Sequence, residues 1–527
     1  MEESHEIPVE LLALNNPIIL TKILKQSSIK LTRCRLVCKL WNEMVLTLKN
    51  TTLALKFHKI DEMGDNFFER CSTFDGRLAK WVNVKTSFNP ANRRSHEKSD
   101  PVTPNLSRLC ELFNTNIQIL KVDVAHEITV TSIHHVLRQN LCPNLKKLLI
   151  FWTKRMLFRD REDDFTTERP VLSAALNPRP TLTSFVFWHQ QVTPFFTNLI
   201  HLVVNASQNL KQIALPWGVF PDFANSKSLT SLTINMCWLR VNHINRADIG
   251  AELSRMIRQV GDQLVTLKFS NFFKLRIRGG SYDENELNIM GFRLPRRMSK
   301  LQEFENPITE IIQCDELFQN IEAMPALETL VMGKIITRLR SLDTILQTIC
   351  NGNTVLASVR FLELSGVHDP KVLDRLTNAF PSVEKLSVEI LWCRSTCHRR
   401  RFTCGTIQPV LNRVGVDLGG VLTTCSGWRS LPTCDQEVGT IIQALLEGRE
   451  LYAWLKTIYV ATCGGNFPHR DFTQDELDLW KQLHVAMAGM DSVYVSNLCL
   501  TKNTRETMKD FMTSNGITCR SFIHLYM

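Results

Sequence analysis

No run of apolar residues in this chain approaches the ~18 that a membrane-spanning helix needs. The opening residues Met1-Glu2-Glu3-Ser4-His5-Glu6 are acidic and lack the apolar stretch of a secretory signal. Those absences exclude a membrane partner and make the cytoplasm, the nucleus or both the expected compartment. No C-x-x-C spacing occurs among the 16 cysteines, so they read as reduced thiols that pack as small apolar groups rather than as a disulfide framework. The tightest cluster of metal-ligand types is Cys393, Cys397, His398 and Cys404. Its adjacent Cys-His pair is poor ligand spacing, and Arg399, Arg400 and Arg401 would repel a cation, so no metal is expected.

Catalytic signatures are missing as well. There is no G-x-G-x-x-G, no G-x-x-x-x-G-K-(S/T), no H-E-x-x-H and no G-x-S-x-G. His134 and His135 are adjacent on a predicted helix and face different sides, which suits neither a base nor a ligand pair. The expectation is a protein with no catalytic residue and no cofactor.

What is present is length and repetition. The chain has 527 residues, 44% of them apolar and 22% charged, too many for one ordinary core, so several domains or a repeat array is expected. The net charge of +10 admits acidic partners, but its even spread does not point to nucleic acid. The densest run, Arg399–Arg401, reads as a solvated loop. Three zones separate: a helical stretch over 1–50, a linker and transition segment over 51–110 that includes the polar loop Asn89–Pro101, and a repetitive region over 111–527.

A bare apolar-x-x-apolar-x-apolar template would occur by chance at roughly one position in twelve at this composition, so a longer unit is needed. A helix-like apolar set, then Pro, then a strand-like x-(Leu/Val)-x-x-(Leu/Phe)-x-apolar set occurs four times. Ile133, Val136, Leu137 and Leu141 precede Pro143 and Leu145-Leu148-Ile150. Val171, Leu172, Ala175 and Leu176 precede Pro180 and Leu182-Phe185-Phe187. Leu317, Ile321 and Met324 precede Pro325 and Leu327-Leu330-Met332. Val372, Leu373, Leu376 and Phe380 precede Pro381 and Val383-Leu386-Val388. Strands without the proline are expected at Leu199-Leu202-Val204, Leu229-Leu232-Ile234, Leu264-Leu267-Phe269, Val359-Leu362-Leu364 and Leu455-Ile458-Val460, with a further unit near Leu418-Val421.

A short strand and a one-sided helix cannot each bury an apolar face alone, whereas stacked units can. The unit resembles the leucine-rich repeat, L-x-x-L-x-L-x-x-(N/C)-x-L, with Cys237 and Cys463 at the asparagine or cysteine step. The resemblance implies an α/β solenoid, parallel strands on the concave side and helices outside. Residues between the buried strand positions would then face the concave side: Lys147, Leu149 and Phe151; Ser184, Val186 and Trp188; Ser231, Thr233 and Asn235; Thr457, Tyr459 and Ala461. Phe151, Trp188 and Tyr459 are the candidate substrate anchors, because aromatic side chains dominate interface energetics.

Toward the N-terminus, Pro17 can open a helix carrying Ile18, Ile19, Leu20, Ile23 and Leu24, and a second helical set follows at Leu36, Val37, Leu40, Trp41 and Met44. So little core suggests stabilisation by a partner. The segment resembles the F-box, most specifically at Leu36-Val37-Cys38-Lys39-Leu40-Trp41. Its Leu-Pro-x-Glu start has its nearest counterpart at Ile7-Pro8-Val9-Glu10, about nine residues early. The resemblance implies docking on the Skp adaptor of a cullin–RING ubiquitin ligase, with Pro17, Ile18, Leu20, Ile23, Leu36, Val37 and Trp41 forming or supporting that face. The repeats would hold an unidentified protein substrate. A helical cap on the solenoid, a scaffold outside ubiquitination and a nucleic-acid-binding solenoid are the rival readings.

Overall fold

The computed structural model describes residues 14, 16–26, 31–48, 54–86, 102–124, 128–152, 172, 174–188, 193–235, 246–270, 292–306, 324–333, 342–351, 355–367, 379–390, 421–422, 446, 457–462, 471–486, 492–496 and 501–516. The chain divides into two compact units, Met1–Leu229 and Thr230–Met527.

Three short helices open the first unit: α1 (Pro17–Leu24), α2 (Leu31–Cys34) and α3 (Lys39–Thr47). Pro17 starts α1 because a first-turn residue needs no amide donor. Asn16 Oδ1 caps it, accepting from the amides of Ile18 at 2.9 Å and Ile19 at 3.4 Å. Leu20, Leu24, Cys34 and Val45 form a small core, with Leu31, Leu40, Trp41, Met44 and Leu48 packed against it.

Six parallel strands follow, side by side in chain order. They are β1 (Leu55–His58), β2 (Trp81–Lys85), β3 (Ile119–Val124), β4 (Lys147–Trp152), β5 (Ser184–Trp188) and β6 (Gln212–Pro216). Helices α4 (Asp65–Ser72), α5 (Val102–Leu112), α6 (Ile128–Arg138) and α7 (Pro194–Ala206) lie between them in sequence. Val82, Leu120, Leu148, Phe185 and Ile213 align in register and all are buried. Lys121, Leu149 and Val186, one residue on, stay partly exposed. One face of the sheet is therefore packed and the other is open across β3 to β5, as the two-residue period of a strand requires, with Asn83 and Ala214 buried at either end of that row.

Two hydrogen-bond devices fix the spacing of these repeats. At the start of β4, β5 and β6, two successive amides share one carbonyl of the preceding repeat. Lys146 and Lys147 donate to Gln118 O (2.7 and 3.0 Å), Thr183 and Ser184 to Lys146 O (2.9 and 3.0 Å), and Lys211 and Gln212 to Thr183 O (2.8 and 3.1 Å). Just before each pair a side chain repeats the move. Asn144 Nδ2 donates to Thr115 O at 2.8 Å, Thr181 Oγ1 to Pro143 O at 2.9 Å and Asn209 Nδ2 to Pro180 O at 2.9 Å. Beneath them the buried Arg179 donates to Cys142 O at 3.0 Å and to Leu137 O, satisfying carbonyls at the end of α6. Desolvation lowers the pKa of this guanidinium.

Three expectations are corrected in this unit. Strands β1 and β2 lie within 51–110, which was expected as a linker and transition segment ahead of the repeats. They are four and five residues long and lack the proline-led lead-in that marks later repeats. The strand expected at Leu199-Leu202-Val204 is the helix α7, and β6 is the strand that follows. Phe196, Leu199, Ile200, Val203 and Val204 are buried at helical spacing behind Pro194; a nearly continuous apolar run satisfies both templates, and length decides for the helix. The helix expected before Pro180 does not form at Ala174–Arg179, because Pro178 and Pro180 remove donors and exclude helical neighbours.

In the second unit, β7 (Ser231–Asn235), β8 (Thr266–Ser270), β9 (Glu303–Asn306), β10 (Thr329–Gly333), β11 (Phe361–Val367) and β12 (Lys385–Ile390) again pair in parallel. Leu232, Leu267, Phe304, Leu330, Leu362 and Leu386 share one register row. A three-stranded parallel sheet joins β13 (Val421–Leu422), β14 (Thr457–Thr462) and β15 (Ser492–Ser496); β13 is the strand of the repeat expected near Leu418-Val421. The described helices are α8 (Arg246–Val260), α9 (Leu342–Asn351), α10 (Gln474–Ala486) and α11 (Lys502–Ser514). The helices expected before Pro325 and Pro381 fall largely outside the described residues. Each unit is thus mixed α/β, built on open parallel sheet as a repeat solenoid is. Among the described residues, no helix is long and apolar enough to cross a membrane.

Candidate functional site

The N-terminal helices sort the seven expected docking residues into support and surface. Leu20 is fully buried, and Trp41 is half-buried against the small core; Ile23 is also half-buried. By contrast Leu36, Ile18 and Val37 are 85%, 69% and 61% exposed, and Pro17 is exposed beside them in sequence. Leu36 and Val37 ride on a turn closed by their own amides, which donate to Arg33 O at 3.0 Å and Cys34 O at 3.2 Å. Arg35 Nε donates to Asn42 Oδ1 at 2.9 Å and ties that turn to α3. Leu14 and Ile19, which the sequence reading passed over as surface, add to the exposed apolar set. Fully burying a side chain as exposed as Leu36 would contribute roughly 1.5–3 kcal/mol, which makes this group of apolar side chains a candidate interaction surface. Lys22, Lys25, Arg33 and Lys39 are exposed around it.

Residues of α3 also fasten the module to the rest of the first unit. Arg77 donates to Glu43 through Nη1 at 2.7 Å and Nη2 at 3.1 Å, and to Asp75 Oδ2 at 2.6 Å. Lys80 Nζ donates to Leu46 O at 3.2 Å. The hydrogen bonds that Arg77 donates hold both carboxyls below the usual carboxylate range, and the same bonds raise the guanidinium in turn.

The open face of the first sheet carries the second candidate site. Phe151 and Trp188 lie opposite each other in register and stack, ring centroids 6.3 Å apart and planes within 5°. Lys121 Nζ sits 4.6 Å from the Phe151 centroid, a cation–π contact. The same ammonium is 3.4 Å from Asp123 Oδ1, and Lys85 Nζ is 3.7 Å from Asp123 Oδ2. Lys147, Leu149 and Val186 are on this face as expected, but Ser184 is buried.

In the second unit Ser231 and Thr233 are partly exposed as expected, whereas Asn235 is fully buried and accepts from Ser270 Oγ at 2.6 Å. A strand-end amide that finds a neighbour's hydroxyl turns inward where alternation alone would leave it out. Lys268 Nζ donates to Glu303 at 2.6 Å and Glu305 at 2.7 Å. Burial pulls its pKa down, but those bonds outweigh burial and leave it raised. Tyr459 occupies β14 in register with Tyr494, Thr457 with Ser492 and Ala461 with Ser496. Cys393, Cys397, His398, Cys404 and Arg399–Arg401 lie outside the described residues. Among those described, no group of three or more His, Cys, Asp or Glu side chains is placed to hold a metal.

No protein-family model and no curated protein matches the chain. Among solved structures, a Bacteroides fragilis protein crystallised as a structural-genomics target matches with a TM-score of 0.28 and 14% identity, over 54% of this chain and 64% of that one. The match spans less than two thirds of that protein. The fold assignment rests on the strand registers themselves.

Proposed function

We propose that the chain is the substrate-recognition subunit of an SCF-type cullin–RING ubiquitin ligase, its F-box-like helices docking on the Skp adaptor and its open sheet face holding a protein substrate. The observation that carries this reading is the outward placement of Leu36, Val37 and Ile18 on helices whose own core is filled by Leu20, Leu24 and Val45. A helical cap evolved to seal the end of a repeat array would turn those side chains inward. The Leu36-Val37-Cys38-Lys39-Leu40-Trp41 ending supports the same reading.

The chain then supplies no chemistry. It raises the effective concentration of substrate lysines near a charged ubiquitin carrier bound elsewhere in the assembly. The expected result is that affinity capture of the full chain from cells brings down the adaptor and cullin, and that removing the chain raises the abundance of at least one co-captured protein. Capture of partners whose levels and ubiquitination stay unchanged would favour a scaffold outside ubiquitination.

A further inference from the structure

We propose that the open face of the first sheet binds an extended acidic peptide segment carrying a bulky apolar side chain; this rests on the receptor reading above and names the chemistry of the substrate. The face has two halves. Across β1 to β4 it presents Lys56, Lys85, Lys121 and Lys147, with Asp123 the carboxylate among them. Asp123 is buried between Lys85 and Lys121, so it offsets one positive charge and leaves the face strongly basic. Across β4 and β5 the character changes to apolar, with Leu149 and Val186 as a floor beside the Phe151–Trp188 stack.

Neighbouring strands are about 4.8 Å apart, so a few extended residues crossing the sheet pass from the lysines to the aromatic pair. Glutamate or aspartate side chains meet the ammonium groups, and a leucine or aromatic side chain reaches the floor and the indole of Trp188. That pairing of charge steering with a buried anchor is what selective protein partners use.

Single-stranded nucleic acid shares the negative charge but fits the face less well. Bases bind to such surfaces by stacking on open aromatic rings. Phe151 is already held between the Lys121 ammonium on the β3 side and the Trp188 ring on the β5 side. Leu149 and Val186 offer a sugar no hydrogen-bond partner.

The test is fluorescence anisotropy of the full chain with a fluorescein-labelled peptide of glutamates followed by leucines. Its glutamine counterpart and oligothymidylate of similar length serve as alternative probes. The glutamate peptide is expected to bind at least about tenfold more tightly than the glutamine one and to outcompete the oligonucleotide. Lys56→Glu with Lys147→Glu, at two exposed lysines of that face, should weaken it by a similar factor while the thermal melting curve stays that of the parent, and Trp188→Ala should weaken it as well. Equal binding of the two peptides, or tighter binding of the oligonucleotide, would overturn the proposal without any variant having to fold. Adaptor capture measured on the same samples keeps the two readings apart. Peptide selectivity without adaptor binding supports this proposal and sinks the ligase assignment alone.

Discussion

His484 sits in α10 with 2% of its surface exposed, neither ring nitrogen hydrogen-bonded, and the Trp480 ring edge-on at 4.9 Å. Desolvation pushes its pKa from 6.5 down to about 4. Between those values the unfolded chain binds a proton that the folded chain refuses, so stability rises with pH there. The contribution is complete above about pH 6.5 and is lost as pH falls toward 4, bounded by roughly 3 kcal/mol. Hydrogen exchange of the α10 amides should show protection at pH 7.5 that declines by pH 4.5, and His484→Leu should flatten the dependence. Protection unchanged over that range would mean the ring is hydrated. Legibility at this scale was uneven. Leu36 and Val37 could be chosen from the sequence because a hexapeptide that resembles the F-box ending carries them, and Ile18 because it follows the helix-opening Pro17. The buried state of Ser184 and Asn235 could not, because alternation says which face a residue starts on and not whether a neighbour's side chain covers it.

Repeats are stitched by more than their leucines. The ladder of Asn144, Thr181 and Asn209, each donating to a carbonyl of the preceding repeat, gives every helix-to-strand turn a fixed partner one repeat back. Removing two rungs with Asn144→Ala and Asn209→Ala should cost about 1–2 kcal/mol together. The urea-unfolding midpoint should fall with an unchanged slope, and a midpoint equal to the parent's would show these bonds to be replaced by water at no loss. The strand positions were legible because the middle apolar residue of each expected strand from Leu148 to Leu386, apart from Leu202, lies in a described strand. The clearest misreading falls where one template serves two structures, as in α7. The ladder itself was invisible. Asparagine and threonine before a leucine are ordinary turn residues, and only their carbonyl partners, some thirty residues earlier, give them meaning.

At the scale of the whole molecule, the two candidate surfaces make separable demands. The N-terminal helices hold apolar side chains in water on a module fastened to the body through Glu43–Arg77 and Lys80. The first sheet leaves a basic and aromatic face open, while its opposite face is packed with leucine, valine and phenylalanine. A receptor needs both: one constant surface for the assembly and one variable surface for the cargo. Fold class and the approximate place of both surfaces could be read from periodicity and one local motif. The charge division of the sheet face could not, since Lys56, Lys85, Lys121 and Lys147 come together only when four strands are set in register.

The docking claim is tested most directly by titrating the purified full chain against the Skp adaptor by calorimetry, in parent form and as Leu36→Asp with Val37→Asp. Because both side chains are exposed, the double variant should keep the parent's melting curve and lose at least about a hundredfold in adaptor affinity. Equal heats and affinities for parent and variant, or no binding by the parent at all, would contradict the account.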